Sequence, residues 1–190
     1  NVAVVFESTL NNCLWTYDHG GARKRRERTM GDKISVITRD QVPTGESAYG
    51  PLKELMNEEP DILFATSPNM SAGALRLSLE NPDKAILNCD FAQPKKNIMT
   101  YYAKFYEAAF LCGVMAGSMT RTGLLGYTTT MATHPGSTCN LNAFALGAQL
   151  VNPTAHVVNI NLYRVDVSDP YHMEARQALA RHGVDIAMCI

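Results

Sequence analysis

Short apolar, β-branched runs alternate along the chain with longer stretches whose apolar residues recur at helical spacing. The runs predict strands over Val2–Phe6, Ile34–Thr38, Asp61–Thr66, Ala85–Cys89, Leu124–Thr129, Val157–Asn161 and Asp185–Cys189. The intervals predict helices over Trp15–Arg28, Glu46–Glu59, Ser71–Glu80, Lys104–Met119, Thr138–Leu150 and Pro170–His182. Such alternation predicts an α/β fold with mainly parallel sheets flanked by helices. Asn81-Pro82-Asp83 and Asn152-Pro153-Thr154 read as joints that end a helix before a strand. Proline disfavours helix at the residue before it, and Asn tolerates a terminating backbone.

The polar stretch from Gly117 to Gly123 follows a long, small-residue-rich segment and precedes a fresh strand–helix cadence. Two lobes are therefore expected, residues 1–119 and 120–190. The second holds only three predicted strands. A sheet that small is a poor independent domain, so the second lobe reads as incomplete, either a fragment or completed by another segment.

With 46% hydrophobic residues, a chain of 190 residues can build real cores. Lys plus Arg number 17 against 18 Asp plus Glu, a balance that gives no overall attraction to nucleic acid. The basic run from Arg23 to Arg28 reads as a solvated helix face. Five scattered cysteines make no disulfide framework. Cys89, Cys112 and Cys189 lie in apolar segments and are expected as buried thiols, whereas Cys13 sits in the first loop, where it can line a pocket. The histidines and cysteines lack CxxC and HExxH spacing, so neither a metal nor another cofactor is expected. With no GxSxG elbow, P-loop or paired-carboxylate motif, catalysis has no footing. No apolar run approaches the roughly 18–20 residues that span a bilayer.

Open α/β sheets bind ligands beyond the carboxyl ends of their strands. The first such connection carries Asn11, Asn12, Trp15 and Thr16, with no glycine between Glu7 and Trp15 to let the backbone approach a phosphate. An indole face beside amides suits a flat, polar-edged heterocycle instead. Asn12 fits a helix N-cap equally well. Ser67 and Asn69 follow the third strand as site residues or as ordinary turn chemistry. Asp90 and Phe91 follow the fourth, facing the crevice or forming a surface turn. Tyr101, Tyr102, Phe105, Tyr106 and Phe110 are expected in the core, and His134 is open between ligand contact and an exposed loop position.

Thr100-Tyr101-Tyr102-Ala103-Lys104-Phe105-Tyr106-Glu107, followed by Leu111-Cys112-Gly113-Val114-Met115-Ala116-Gly117, resembles the signature helix of the Bmp (basic membrane protein) family. These are substrate-binding lipoproteins that deliver purine nucleosides or bases to ABC transporters. Trp15-Thr16-Tyr17-Asp18-His19 resembles the family's first binding loop, Thr66-Ser67 its third strand end, and Gly126-Tyr127 its first second-lobe strand. Asn142 to Ala148, with Val151-Asn152-Pro153, is similar to the next helix and turn.

The resemblance implies a two-lobed type I periplasmic-binding-protein fold that closes by a hinge on a purine base or nucleoside held in the interlobe cleft. Trp15 would be the first-lobe aromatic, Asn12 the polar reader of the base edge and Tyr163 the second-lobe aromatic, with Asp166 and Asp169 as alternative matches beside it. Asn12 stands where many members have aspartate, and Ala72 where relatives often carry an acid. The implied partner is an ABC transporter membrane permease, and the implied location extracytoplasmic, as a membrane-anchored lipoprotein or periplasmic protein. Two other readings stay open: the sensor domain of a cytoplasmic regulator, motivated by the free cysteines, and an α/β enzyme acting on nucleosides.

Overall fold

The computed structural model describes residues 1–11, 13–90, 97–129, 134–162 and 169–189, with the main chain alone at 14 and 169–171. Two compact units emerge, Asn1–Tyr102 and Ala103–Ile190.

The first unit runs β1 (Val2–Val5), α1 (Leu14–Met30), β2 (Val36–Arg39), α2 (Tyr49–Met56), β3 (Ile62–Ala65), α3 (Ser71–Glu80), β4 (Ala85–Cys89) and β5 (Ile98–Tyr101). Its strands form one parallel sheet in the order β2-β1-β3-β4-β5. Ala3, Val4 and Val5 of β1 are all buried, as befits a central strand covered on both faces. Val5, Leu63 and Ile86 join Leu52, Met70 and Leu77 in one apolar core.

The second unit runs α4 (Phe105–Met119), β6 (Leu124–Thr129), α5 (Pro135–Val151), β7 (His156–Asn161), α6 (Asp169–Arg181) and β8 (Ile186–Cys189). The parallel sheet here has the order β7-β6-β8. Tyr127 and Phe144 lie at its centre, ring centroids 5.3 Å apart. The helices α4 and α5 meet backbone to backbone: a Cβ on Gly113 would run into the Phe144 carbonyl oxygen, and one on Gly147 into that of Phe110.

The predicted α/β class holds, with parallel sheets in both units. Four expectations change. An additional strand, β5, occupies residues expected to be loop, because backbone pairing to β4 outweighs a run that alternates poorly. The second compact unit begins at Ala103 rather than at residue 120, since α4 packs on α5 and β8. Tyr102, Phe105 and Tyr106 are exposed instead of in the core, because Ala109, Gly113, Ala116 and Gly117 are the buried face of α4. Finally, Cys112 and Cys189 are exposed, along with Cys139, and of the three thiols expected inside only Cys89 is buried.

Candidate functional site

The order β2-β1-β3-β4-β5 reverses direction between β1 and β3, and ligands of open sheets bind beyond the carboxyl ends at such a switch point. There the chain places Glu7, two residues past β1, and Thr66 and Ser67, directly past β3. Thr66 is locked in place by its hydroxyl, which donates to the Val5 carbonyl at 2.7 Å. The Trp15 indole N–H, one residue into α1, donates to the Thr66 carbonyl at 2.6 Å. On the neighbouring residue, the Ser67 hydroxyl donates to the Glu7 carboxylate. The Asn69 side-chain amide donates to both Glu7 oxygens at 3.1 Å, and the Asn69 backbone N–H donates to Ser67 Oγ at 3.1 Å. An aromatic ring and a carboxylate are thus pinned to consecutive residues of one strand end.

Beneath them, Asn88 of β4 is fully buried and donates to the carbonyls of Ala65 (3.0 Å) and Ser67 (2.8 Å). Two donor contacts from a core amide hold the turn after β3, since buried carbonyls left unpaired are costly. Trp15 also heads an aromatic array. It lies 4.9 Å from His19, which lies 6.1 Å edge-on from Tyr101, which in turn meets Phe64 at 5.8 Å. His19 Nδ1 donates to the Trp15 carbonyl at 2.9 Å. Burial pushes the Cys89 thiol up to about 12, helped by the nearby Asp90 charge and opposed by its hydrogen bond with Tyr101, so this thiol stays protonated at neutral pH. The Tyr101 hydroxyl is likewise pushed up, chiefly by burial.

Of the residues singled out from sequence, Trp15, Ser67 and Asn69 come together at this strand end. Thr16 is only 2% exposed, a buried position in the first turn of α1. Asp90 follows β4 in a left-handed conformation (φ 58°), and its N–H donates 3.0 Å to the Tyr101 carbonyl. That backbone state is unusual for a residue with a side chain and recurs at ligand sites. Asn12, Phe91, Tyr163 and Asp166 lie outside the described residues. His134 is the N-cap of α5: its Nδ1 accepts the Gly136 N–H at 3.2 Å. Sequence reasoning missed Glu7 and Asn88. The signals were there, an acid directly behind a strand and one amide in the apolar run Ala85-Ile86-Leu87-Asn88-Cys89, but their partners lie far away in the chain.

Comparison with known proteins matches residues 1–186 to the Bmp family, described as ABC transporter substrate-binding protein PnrA-like. A purine-binding protein of Brucella abortus is 30% identical over 175 residues, covering 90% of this chain and 49% of the relative. A putative ABC transporter glucose-binding protein of Haloferax volcanii is 23% identical, covering 98% and 46%. Among solved structures, an ABC transporter solute-binding protein from Aeropyrum pernix superposes with a TM-score of 0.79 at 14% identity, over 100% of this chain and 54% of the other. The chain spans about half the length of the curated relatives it matches.

Proposed function

The chain belongs to the Bmp family of ABC transporter substrate-binding proteins, and from that premise we propose that the protein captures a purine base or nucleoside for such a transporter. Membership sets it among solute-binding proteins rather than enzymes, which removes the nucleoside-acting enzyme reading. The description as a transporter component also favours transport over the regulatory reading.

The observation that carries the purine reading is the pairing of Trp15 with Glu7 on consecutive residues at the switch point. A purine needs a face to stack on and an edge to bond, and this strand end supplies both kinds of group. The 30% identical purine-binding relative supports the same choice. Capture works by hinge closure, in which the ligand binds the closed state more tightly than the open one; that difference in affinity is what a membrane permease would read. The location that goes with this role is extracytoplasmic, as a lipoprotein or periplasmic protein. No helix among the described residues is long and apolar enough to cross a membrane.

A thermal-shift panel tests the proposal. Adenine, guanine or their nucleosides at about 100 times their Kd should add roughly 2.7 kcal/mol of stability, visible as a raised Tm. Glucose should add none, and Trp15→Ala should abolish the purine shift. A Tm raised by glucose and unmoved by purines would replace the ligand class.

A further inference from the structure

The near-neutral charge balance conceals a local excess. Between residues 23 and 33 six basic residues stand against two acidic ones, a net of +4 in a chain of formal charge −1, so the remainder carries −5. Of the two acids, Glu27 is taken by Arg23 at 2.8 Å. Lys24, Arg25, Arg26, Arg28 and Lys33 are all exposed, and none of the ion pairs among the described residues includes them. The helix dipole favours a cation in the last turn and accounts for Arg28, but its effect fades beyond that turn and leaves Lys24, Arg25 and Arg26 unexplained. Lys24 and Arg28 stand four residues apart, where like charges repel.

The excess also has a definite place. α1 begins beside the switch point, where Trp15 bonds to Thr66, and its 17 residues rise about 25 Å toward the amino ends of the strands. There the Val2 N–H donates to the Ser35 carbonyl at 2.8 Å, and Val2 lies level with Val36 of β2. The basic end of α1 thus adjoins the start of β1, and any segment upstream of Asn1 enters the unit at this end.

We propose that this basic end of α1 docks on an anionic phospholipid surface. The proposal rests on the extracytoplasmic lipoprotein reading given above, in which the anchor precedes β1 and so holds this end of the unit toward the bilayer. Anionic headgroups attract clustered Lys and Arg at close range, and a tether combined with a basic face holds a protein to a membrane better than either alone. The stretch from Lys24 to Arg28 carries no apolar side chain to insert between lipids, so the contact is electrostatic, reversible and weakened by salt. Docking leaves the ligand site clear, because Trp15 and Thr66 lie at the opposite end of the helix.

Co-sedimentation of the full protein with vesicles tests this, using equal parts phosphatidylglycerol and phosphatidylcholine against phosphatidylcholine alone. Wild type should partition onto the anionic vesicles at low salt, ignore the neutral ones, and be released at about 1 M salt, where charges act over only about 3 Å. The quadruple variant Lys24→Gln, Arg25→Gln, Arg26→Gln, Arg28→Gln should lower that partition about a hundredfold or more, each cation contributing roughly fivefold. It should keep the wild-type Tm and the wild-type purine shift. Should it fail to fold, the wild-type contrast between the two vesicles and its loss in salt decide alone. Wild type left in the supernatant with anionic vesicles at low salt would overturn the proposal and leave the patch to an acidic protein surface or to solvent. So would equal binding to neutral vesicles, or a folded variant that binds as well as wild type. Duplex DNA that displaces the protein from the vesicles at equal phosphate would assign the patch to nucleic acid instead. A purine shift that survives any of these failures leaves ligand capture standing.

Discussion

The switch point of the first unit and the α4–α5 contact of the second are both tightly fitted, by opposite means. At the switch point, Trp15, Glu7, Ser67 and Asn88 are fixed by directional hydrogen bonds between residues far apart in the chain. Between α4 and α5 the fit comes from missing side chains, with Gly113 and Gly147 letting each helix rest on the other's carbonyls. The outer faces of that helix pair remain apolar: Leu111 is 63% exposed and Leu150 68%. Hydrogen bonds hold polar atoms at set angles, which a recognition edge needs. Backbone packing holds a shape and is indifferent to what lies on the far side of the helix. Under the proposed function, the strand ends of the first unit are where directional recognition chemistry is sought, and the close contact of α4 with α5 is a packing feature.

The largest effect that tests this contrast is at the helix contact. Gly113→Val should destabilise the protein by about 3 kcal/mol in urea unfolding, because the new side chain meets backbone that cannot swing aside. A loss below about 1 kcal/mol would mean the helices separate cheaply. Next is Asn88→Leu, which strands the Ala65 and Ser67 carbonyls and should cost roughly 2 kcal/mol while weakening purine binding. Unchanged binding in a folded Asn88→Leu protein would detach the core amide from the site.

A smaller effect concerns Asp185, whose carboxyl is held down at about 2 by the Thr120 hydroxyl and the Arg121 and Thr122 backbone N–H groups. Its folded pKa lies below the unfolded value of 3.8, so its contribution is present above about pH 4 and is lost as pH falls toward about 2. The stability gap between wild type and Asp185→Asn should accordingly close over that window in acid unfolding curves. A gap constant from pH 5 to 2 would show that the carboxylate is not held. Smallest in stability, and sharp in chemistry, is native alkylation followed by peptide mass mapping. Cys112, Cys139 and Cys189 should label readily with little change in Tm, while Cys89 should resist until unfolding. Rapid labelling of Cys89 would show the aromatic array around Tyr101 to be loose.

Periodicity made the α/β class legible, and the span of α3 and those of β4 and β6 are the ones read from sequence. What it could not show depended on partners. The strand β5 exists through pairing with β4, and Ile98 to Tyr101 alternates too poorly to announce it. The aromatics near α4 look like core by spacing, yet the contact with α5 selects the glycine and alanine face and turns Phe105 and Tyr106 outward. In the candidate site, Trp15 was legible because a lone tryptophan at the start of the first helix, just past the first strand, is conspicuous. Glu7 was not, because its meaning comes from Ser67, 60 residues later.

Trp15 is the single tryptophan of the chain, so its emission reports on the site without interference. Titration of the full protein with guanine or adenine, excited at the red edge of indole absorption and corrected for ligand absorbance, is the most direct test of purine capture at this strand end. A saturable quench or shift with purines, and none with glucose, is the expected result. Emission unchanged at purine saturation, or an equal response to glucose, would contradict it.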